Sequence, residues 1–154
     1  MKRDNIIIGS RRSKLAVIYA EKVKSKLSKF YSGKIEIKKI TTTGDQNQSE
    51  RLSSMGGKGL FSTNIENELL ENKIDIAVHA LKDMPSFDTK GLLTNCYLKR
   101  NSPNEILISK NIKFKDLNNG SVIGTSSFRR EFQLKNIRAD LVYKLIRGNV
   151  DTRI

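Results

Sequence analysis

The sequence is poor in several residue types, and their scarcity limits the kind of protein it encodes. Among 154 residues it has one cysteine, one histidine, two prolines and no tryptophan. The single Cys96 cannot form an internal disulfide, and a lone Cys far from a lone His predicts no metal site. No apolar run reaches the length of a signal-peptide core or a membrane span. We therefore predict a cytoplasmic protein with no membrane partner.

Acidic residues are also scarce. Sixteen Asp and Glu stand against 29 Lys and Arg, which gives a net charge of +13. Such an excess attracts nucleic acid, anionic membrane surfaces or small polyanions without choosing among them. Aromatic residues are not interleaved with the basic ones as in a stacking platform, and we find no nucleic-acid-binding signature. Two non-catalytic alternatives remain open: a basic nucleic-acid-binding module and a small-anion-binding domain.

Short apolar runs alternate with helical patterns along the chain. Strand patterns cover residues 5–10, 34–40, 75–81, 105–109, 121–125 and 141–150. Helical patterns follow Ser13, a predicted N-cap, and cover residues 63–72 and 128–137, with Thr63 and Glu66 as a predicted capping box. This order predicts α/β architecture with mainly parallel sheets and flanking helices. A change of unit near residues 99–104 predicts two domains, 1–99 and 100–154.

Polar side chains follow four of the predicted strands. In open α/β sheets, ligands bind beyond the carboxyl ends of the strands, where Arg offers a two-pronged donor for carboxylate or phosphate. Such recurrence favours an anion site over scattered surface charge. The strand-end residues are Ser10, Arg11, Arg12, Ser13, His79, Lys82, Asp83, Thr125, Ser126, Ser127, Arg129, Arg130, Arg147, Asn149 and Arg153.

Taken singly, these residues also have structural explanations. Ser13 and Ser126 are ordinary N-cap candidates, and His79, flanked by apolar residues, is expected to be a hydrogen-bonded core histidine. Asp83 is the one acid of the set, and it fits either a salt bridge or a group that stabilises a cation or moves a proton. The glycine-rich segment at residues 56–61 fits either a lid over an anionic ligand or a plain flexible loop.

Six motifs, in this order, resemble the porphobilinogen deaminase family, also called hydroxymethylbilane synthases: "GSRRSKLA", "TTTGD", "GGKGLF", "DIAVHALKDMP", "GTSSFRREFQL" and "RGNVDTR". The resemblance implies a transferase of porphyrin and heme (tetrapyrrole) biosynthesis. Such enzymes join four porphobilinogen molecules head to tail, release ammonia each time, and work on a covalently held dipyrromethane cofactor. It further implies a monomer at full length, whose partners are porphobilinogen and the polypyrrole intermediates.

The resemblance also implies roles for individual residues. Asp83 would be the catalytic acid, assisting loss of ammonia and stabilising positively charged azafulvene and pyrrolic intermediates. Lys58 and Phe61 would lie on the loop that covers the cleft. The carboxylates of cofactor and substrate would be held by Arg11, Ser13, Lys82, Thr125, Ser127, Arg129, Arg130, Arg147 and Arg153.

The chain departs from the family pattern in three motifs and in length. Ala80 replaces the usual Ser, residues 103–105 replace Pro-Arg-Asp, and residues 63–66 replace Lys-Glu-Leu-Glu. None of these changes affects a residue to which the resemblance gives a catalytic or binding role.

Family members are about twice as long, with a two-domain, binding-protein-like part and a third α+β domain. The resemblance implies that this chain covers most of domain 1 and the first half of domain 2. The cysteine that attaches dipyrromethane belongs to the third domain, which is absent, and Cys96 is not that residue. We expect a fragment or truncated product with weak or no activity alone.

Overall fold

The computed structural model describes residues 4–46 and 59–154, and the chain divides into two compact units, Met1–Asn95 and Cys96–Ile154. Both units combine helices with parallel strand pairs, so the α/β architecture with parallel sheets is confirmed at that level. The domain boundary between residues 99 and 100 stays a prediction.

A three-stranded parallel sheet forms the centre of the first unit. β1 (Asn5–Arg11) is the middle strand, β2 (Lys34–Ile40) pairs with it from end to end, and β3 (Ile76–Ala77) lies on its other side. The strands predicted at 5–10 and 34–40 are confirmed. The strand predicted at 75–81 is confirmed only near its start, and the chain then turns away into a 3₁₀ turn, Leu81–Asp83.

Three helices belong to the first unit: α1 (Lys14–Leu27), α2 (Thr43–Gln46) and α3 (Thr63–Leu70). Ser13 caps α1, since its Oγ accepts a hydrogen bond from the Ala16 N–H at 3.4 Å, as predicted. The predicted capping box of α3 is wrong. Ser62 occupies the N-cap position, and it makes no side-chain capping bond.

Helices cover both faces of this sheet. Alternation along the strands sends Ile8 and Ile35 to one face, where they pack with α1. Ile40 points to the other face and packs with Ile65 of α3. Since β1 is covered on both faces and paired on both edges, it reads as a continuous apolar run in the sequence. Burial of each such side chain contributes roughly 1.5–3 kcal/mol.

The second unit is built on a parallel pair of short strands, β4 (Val122–Gly124) and β5 (Val142–Lys144). The helix α4 (Phe128–Ile137) connects them, and α5 (Val150–Arg153) follows β5. The helix predicted at 128–137 is confirmed. The strands predicted at 121–125 and 141–150 are confirmed only in part, at β4 and β5.

Two local predictions for the second unit are wrong. The N-cap of α4 is Ser127, not Ser126, and the Ser127 Oγ accepts a hydrogen bond from the Arg130 N–H at 3.3 Å. Residues 105–109 do not form a strand, and Ile106 is 85% exposed. A strand requires a neighbour to satisfy its backbone groups, and this segment has none among the described residues.

Candidate functional site

Four side chains meet near the carboxyl end of β1 in the first unit: Arg11, Asp45, Phe61 and Asp83, here called the Arg11 cluster. Arg11 is the last residue of β1, Asp45 lies on α2 just beyond β2, and Asp83 lies on the 3₁₀ turn beyond β3. Parallel strands end at the same edge of a sheet, so residues from three strand ends converge there.

The guanidinium of Arg11 is contacted on several sides. Its Nη2 donates to Oδ1 of Asp45 at 2.5 Å and its Nε donates to Oδ2 at 3.3 Å. Its Nη1 lies 3.6 Å from Oδ2 of Asp83. The Phe61 ring stacks on it, with 3.9 Å between the guanidinium carbon and the ring centroid. One cation is therefore held by two carboxylates and one aromatic face.

Asp45 is kept ionised by its partners. Burial alone would raise the pKa of its carboxyl, but hydrogen bonds from Arg11 and Thr42 outweigh burial and bring the pKa below its usual value. The Thr42 hydroxyl donates to Oδ2 at 2.7 Å, and Thr42 is fully buried. Asp45 is a site residue that the sequence reasoning missed. Its signal was available, since it is the acid that ends the "TTTGD" motif after β2.

Gly44 makes room for the aromatic member of the Arg11 cluster. A Cβ at this position would lie 2.3 Å from Cε1 of Phe61, closer than any side-chain contact allows. The absence of a side chain at Gly44 thus lets the Phe61 ring lie over Arg11.

The other predicted residues of the first unit lie beside this cluster. Lys82 is on the same 3₁₀ turn as Asp83 and is exposed. The hydroxyl of Ser13 already serves as the cap of α1. Lys58 lies outside the described residues. The salt-bridge explanation of Asp83 and its chemical explanation both remain, because a contact with Arg11 fits either.

His79 agrees with its prediction only in part. The ring is largely buried on the α3 side of the sheet, but its Nε2 has no hydrogen-bond partner among the described residues. Burial is the main cause that lowers the pKa of His79, with Arg11 adding to it and with Glu66 and Asp83 opposing it. The prediction of a core histidine agrees with this burial, and its hydrogen-bond partner at Nε2 is not among the described residues.

In the second unit, hydroxyl groups brace an arginine at the start of α4. Oγ1 of Thr125 accepts hydrogen bonds from the Ser127 N–H at 3.2 Å and from Nη1 of Arg130 at 3.1 Å. Thr125 is buried at 3% exposure. Because a hydroxyl oxygen accepts two bonds and donates one, these contacts leave the Thr125 hydrogen as a donor. Thr125, Ser127 and Arg130 thus form one connected set, as the sequence predicted for neighbouring site residues.

Glu105 joins the two adjacent arginines of α4. Its Oε2 accepts from Nε of Arg130 at 2.9 Å and from Nη2 at 2.7 Å, and its Oε1 accepts from Nη2 of Arg129. These hydrogen bonds lower the pKa of the Glu105 carboxyl. The sequence analysis named position 105 only as part of a departure from the family pattern and did not predict its contacts with Arg129 and Arg130. Glu105 is the one acid between Asp88 and Asp116, a signal that could have identified it.

Two further arginines add positive charge to this unit. Partial desolvation, and then the charges of Arg147 and Arg130, lower the pKa of Arg153. The Nε of Arg153 donates to the Gly148 carbonyl at 2.7 Å. Arg153 thus lies within electrostatic range of the guanidinium groups of Arg147 and Arg130.

The described residues show little that points to metal or membrane chemistry. Across residues 4–46 and 59–154, no cluster of three or more His, Cys, Asp and Glu could hold a metal ion. No helix in these ranges is long and apolar enough to cross a membrane. Cys96 is exposed.

Arginines and hydroxyl groups lie at the strand ends of both parallel sheets, and Asp83 lies on the turn after β3. Such strand ends are typical of α/β proteins that bind an anionic ligand. Comparison with known proteins narrows this class. The family profile described as "Porphobilinogen deaminase, dipyromethane cofactor binding domain" matches residues 6–154. The chain therefore belongs to the porphobilinogen deaminase family.

Curated relatives agree with this assignment. The chain is 49% identical to the porphobilinogen deaminase of Bacillus subtilis over 97% of its own length and 48% of the relative. It is 47% identical to those of Geotalea uraniireducens and Ehrlichia chaffeensis, over 96% and 97% of its length and 46% and 51% of theirs. The chain thus spans about half the length of the curated relatives it matches.

Proposed function

We propose that this chain forms part of a hydroxymethylbilane synthase, which condenses four porphobilinogen molecules head to tail with release of ammonia. Asp83 serves as the acid that assists loss of ammonia and stabilises the positive charge that develops on the pyrrole. The carboxylates of substrate and cofactor bind to Arg11 in the first unit and to Arg130, Arg147 and Arg153 in the second.

The observation that carries this proposal is the contact between Asp83 and Arg11 at the end of the central strand. Side by side, the two groups offer a negative charge to a developing cation and a guanidinium to the carboxylate of the same substrate. Arg11 has a closer carboxylate partner in Asp45, so its charge is balanced without Asp83.

The residues of the second unit fit the carboxylates of dipyrromethane. Guanidinium groups match carboxylate geometry, and Arg153, which is partly desolvated and repelled by Arg147, is stabilised by added negative charge. When bound, the cofactor would supply the pyrrole carbon that the first incoming unit joins. Thr125 and Ser127 hold Arg130 in place. We assign no anchoring role to Cys96.

We further infer that the two units correspond to the first part of domain 1 and the first half of domain 2 of a two-domain, binding-protein-like architecture. A third α+β domain of the whole enzyme would carry the anchoring cysteine. The whole enzyme is proposed to be a cytoplasmic monomer that binds neither nucleic acid nor membrane.

The test uses the native protein that contains this chain, purified from its source cells and compared with variants made in the same gene. Porphobilinogen consumption and ammonia release are measured together. Asp83→Asn should lower turnover by at least about 100-fold, the typical contribution of a positioned acid. Asp88→Asn, an exposed acid five residues later, should leave turnover unchanged. Wild-type turnover in Asp83→Asn would refute the proposed role.

Binding measurements separate this proposal from the two non-catalytic alternatives. A nucleic-acid-binding module would lose affinity for DNA or RNA steeply as salt rises, in proportion to the phosphates it contacts. A small-anion-binding domain would bind porphobilinogen without consuming it. The proposal expects porphobilinogen binding that falls in Arg147→Gln, together with turnover that depends on Asp83.

A further inference from the structure

Two buried polar atoms on the α3 side of the first sheet have no hydrogen-bond partner among the described residues. They are Oε1 of Glu66 and Nε2 of His79. Glu66 is only 7% exposed, and its other oxygen, Oε2, accepts a hydrogen bond from the Thr89 hydroxyl at 2.9 Å. Buried polar atoms of this kind nearly always have a protein or water partner. Each atom thus requires a specific partner.

The backbone directs these two side chains to the same face of the sheet. The Val78 N–H donates to the Gly9 carbonyl at 2.9 Å, which continues the pairing of β1 and β3 beyond Ala77. Val78 packs on the α1 side and Ala77 on the α3 side. Because side chains alternate along a strand, the next residue, His79, points towards α3.

Glu66 approaches from the helix on that face. It follows Ile65, whose side chain packs in the core between α3 and the sheet. Its carboxylate interacts electrostatically with the His79 ring. A third unpartnered atom, Oγ of Ser62, lies one helical turn earlier. A buried water typically takes about three such partners.

The chemistry of the two groups is complementary in one arrangement. A neutral imidazole carries one N–H donor and one nitrogen acceptor, whereas an ionised carboxylate only accepts. In direct contact, Nε2 and Oε1 can therefore satisfy each other only when the ring hydrogen is on Nε2. A single bridging water serves the same tautomer when it accepts from Nε2–H and donates to Oε1. The tautomer of a histidine is set in this way by the partner of one ring nitrogen.

We propose that Glu66 and His79 form a buried carboxylate–imidazole pair bridged by one ordered water, which accepts from the Nε2–H of neutral His79 and donates to Oε1 of Glu66. Nδ1 is then the acceptor of the ring. The pair makes both residues positioning residues for the turn that carries Asp83, four residues after His79.

The pair also bears on the charge of the Arg11 cluster. A neutral ring adds no second cation near Asp83, so the carboxylate keeps its negative charge for a cationic group. This consequence rests on the proposed function, whereas the pair itself does not. The charged groups that act on the ring are Glu66, Asp83 and Arg11, and burial outweighs the first two.

The tautomer can be read directly, because the chain contains a single histidine. Tag-free, ¹⁵N-labelled protein is studied by long-range ¹H–¹⁵N NMR, which shows which ring nitrogen carries the hydrogen. We expect Nε2–H in the wild type at pH 7.5. A wild-type ring with its hydrogen on Nδ1, or with both tautomers equally populated, would overturn the proposal without need of any variant.

Variants test the partner. In Glu66→Gln the negative charge is gone, so the pKa of His79 should fall further. In Glu66→Met the acceptor is also gone, so both tautomers should appear. Glu68→Gln removes a partly exposed acid from the same helix, one paired with Lys38, and should leave the ring signals unchanged. An unchanged His79 pKa in Glu66→Gln, or an unchanged tautomer in Glu66→Met, would show that Glu66 is not the partner.

The outcomes separate this inference from the proposed function. If the ring carries its hydrogen on Nε2 but Asp83→Asn retains full turnover, the pair stands and the proposed function fails. If the ring lacks that tautomer while Asp83→Asn abolishes turnover, the pair fails and the proposed function stands.

Discussion

Arg11 and Asp45 form a two-point ion pair: Nη2 and Nε of the guanidinium donate to the two carboxylate oxygens at 2.5 and 3.3 Å. Both side chains are less than one fifth exposed. The pair links the end of β1 to α2 beyond β2. It fixes the orientation of the guanidinium, so that its remaining Nη1 faces Asp83.

Replacing Asp45 should destabilise the first unit. Asp45→Asn keeps the shape but removes the charge that balances Arg11, and hydrogen bonds to charged groups contribute about 1.5–3 kcal/mol. We expect the free energy of unfolding in urea to fall by that amount. Asp88→Asn, an exposed acid, should change it by less than about 0.5 kcal/mol. Equal effects of the two variants would mean that the ion pair contributes nothing.

The same ion pair predicts a pH dependence. Because its partners lower the pKa of folded Asp45, the stabilisation is complete above the pKa of the unfolded state, about 3.9. It is lost as the pH falls through the lower pKa of the folded state. The difference in melting temperature between wild type and Asp45→Asn should thus be constant near neutrality and shrink below about pH 4. A difference that grows on acidification would contradict this assignment.

Stacking of Phe61 on Arg11 gives a third prediction. Phe61→Leu keeps an apolar side chain but removes the aromatic face, and a cation–π contact contributes about 0.5–2 kcal/mol. We expect a loss of stability in that range by urea unfolding. Phe87→Leu changes an aromatic ring that is 88% exposed and serves as the matched control. The stacking has no energetic value if the control loses as much stability.

Glu105 should compete with an anionic ligand for the arginines of α4. Glu105→Gln releases Arg129 and Arg130 from an exposed carboxylate. Because exposed ion pairs contribute about 0.2–1 kcal/mol, affinity for porphobilinogen should rise about 1.4- to fivefold in calorimetry. Glu131→Gln, whose carboxylate pairs with Lys135 on the same helix, should have no effect. Weaker binding in Glu105→Gln would mean that Glu105 orients the arginines for the ligand.

Short sequence patterns predicted the strands and helices that depend on interactions between neighbouring residues. The isoleucine run of β1, the alternation of β2 and the helical spacing after Ser13 each correspond to an observed element. The failures are equally specific. Residues 105–109 have a strand pattern but no pairing neighbour in the described part of the chain. Thr63 was predicted as a cap from its spacing to Glu66, whereas the backbone makes Ser62 the N-cap.

The candidate site shows the same contrast between what local sequence patterns predict and what long-range contacts decide. The rule that ligands bind at strand ends identified Arg11, Asp83 and Arg130 before any contact was known. It could not identify Asp45 or Glu105 as their partners, since a carboxylate on another segment has no fixed spacing from the arginine it binds. It also could not show that Nε2 of His79 and Oε1 of Glu66 would both be buried without a described partner, because their burial depends on how α3 packs on the sheet.

The sequence by itself determined the family, the order of strands and helices and the strand-end position of the arginines, because periodicity and motif order are properties of neighbouring residues. Only the tertiary structure decided which acid meets which arginine, which atoms remain unsatisfied and which strands pair. Those outcomes depend on contacts between residues tens of positions apart, such as the 34 residues that separate Arg11 from Asp45.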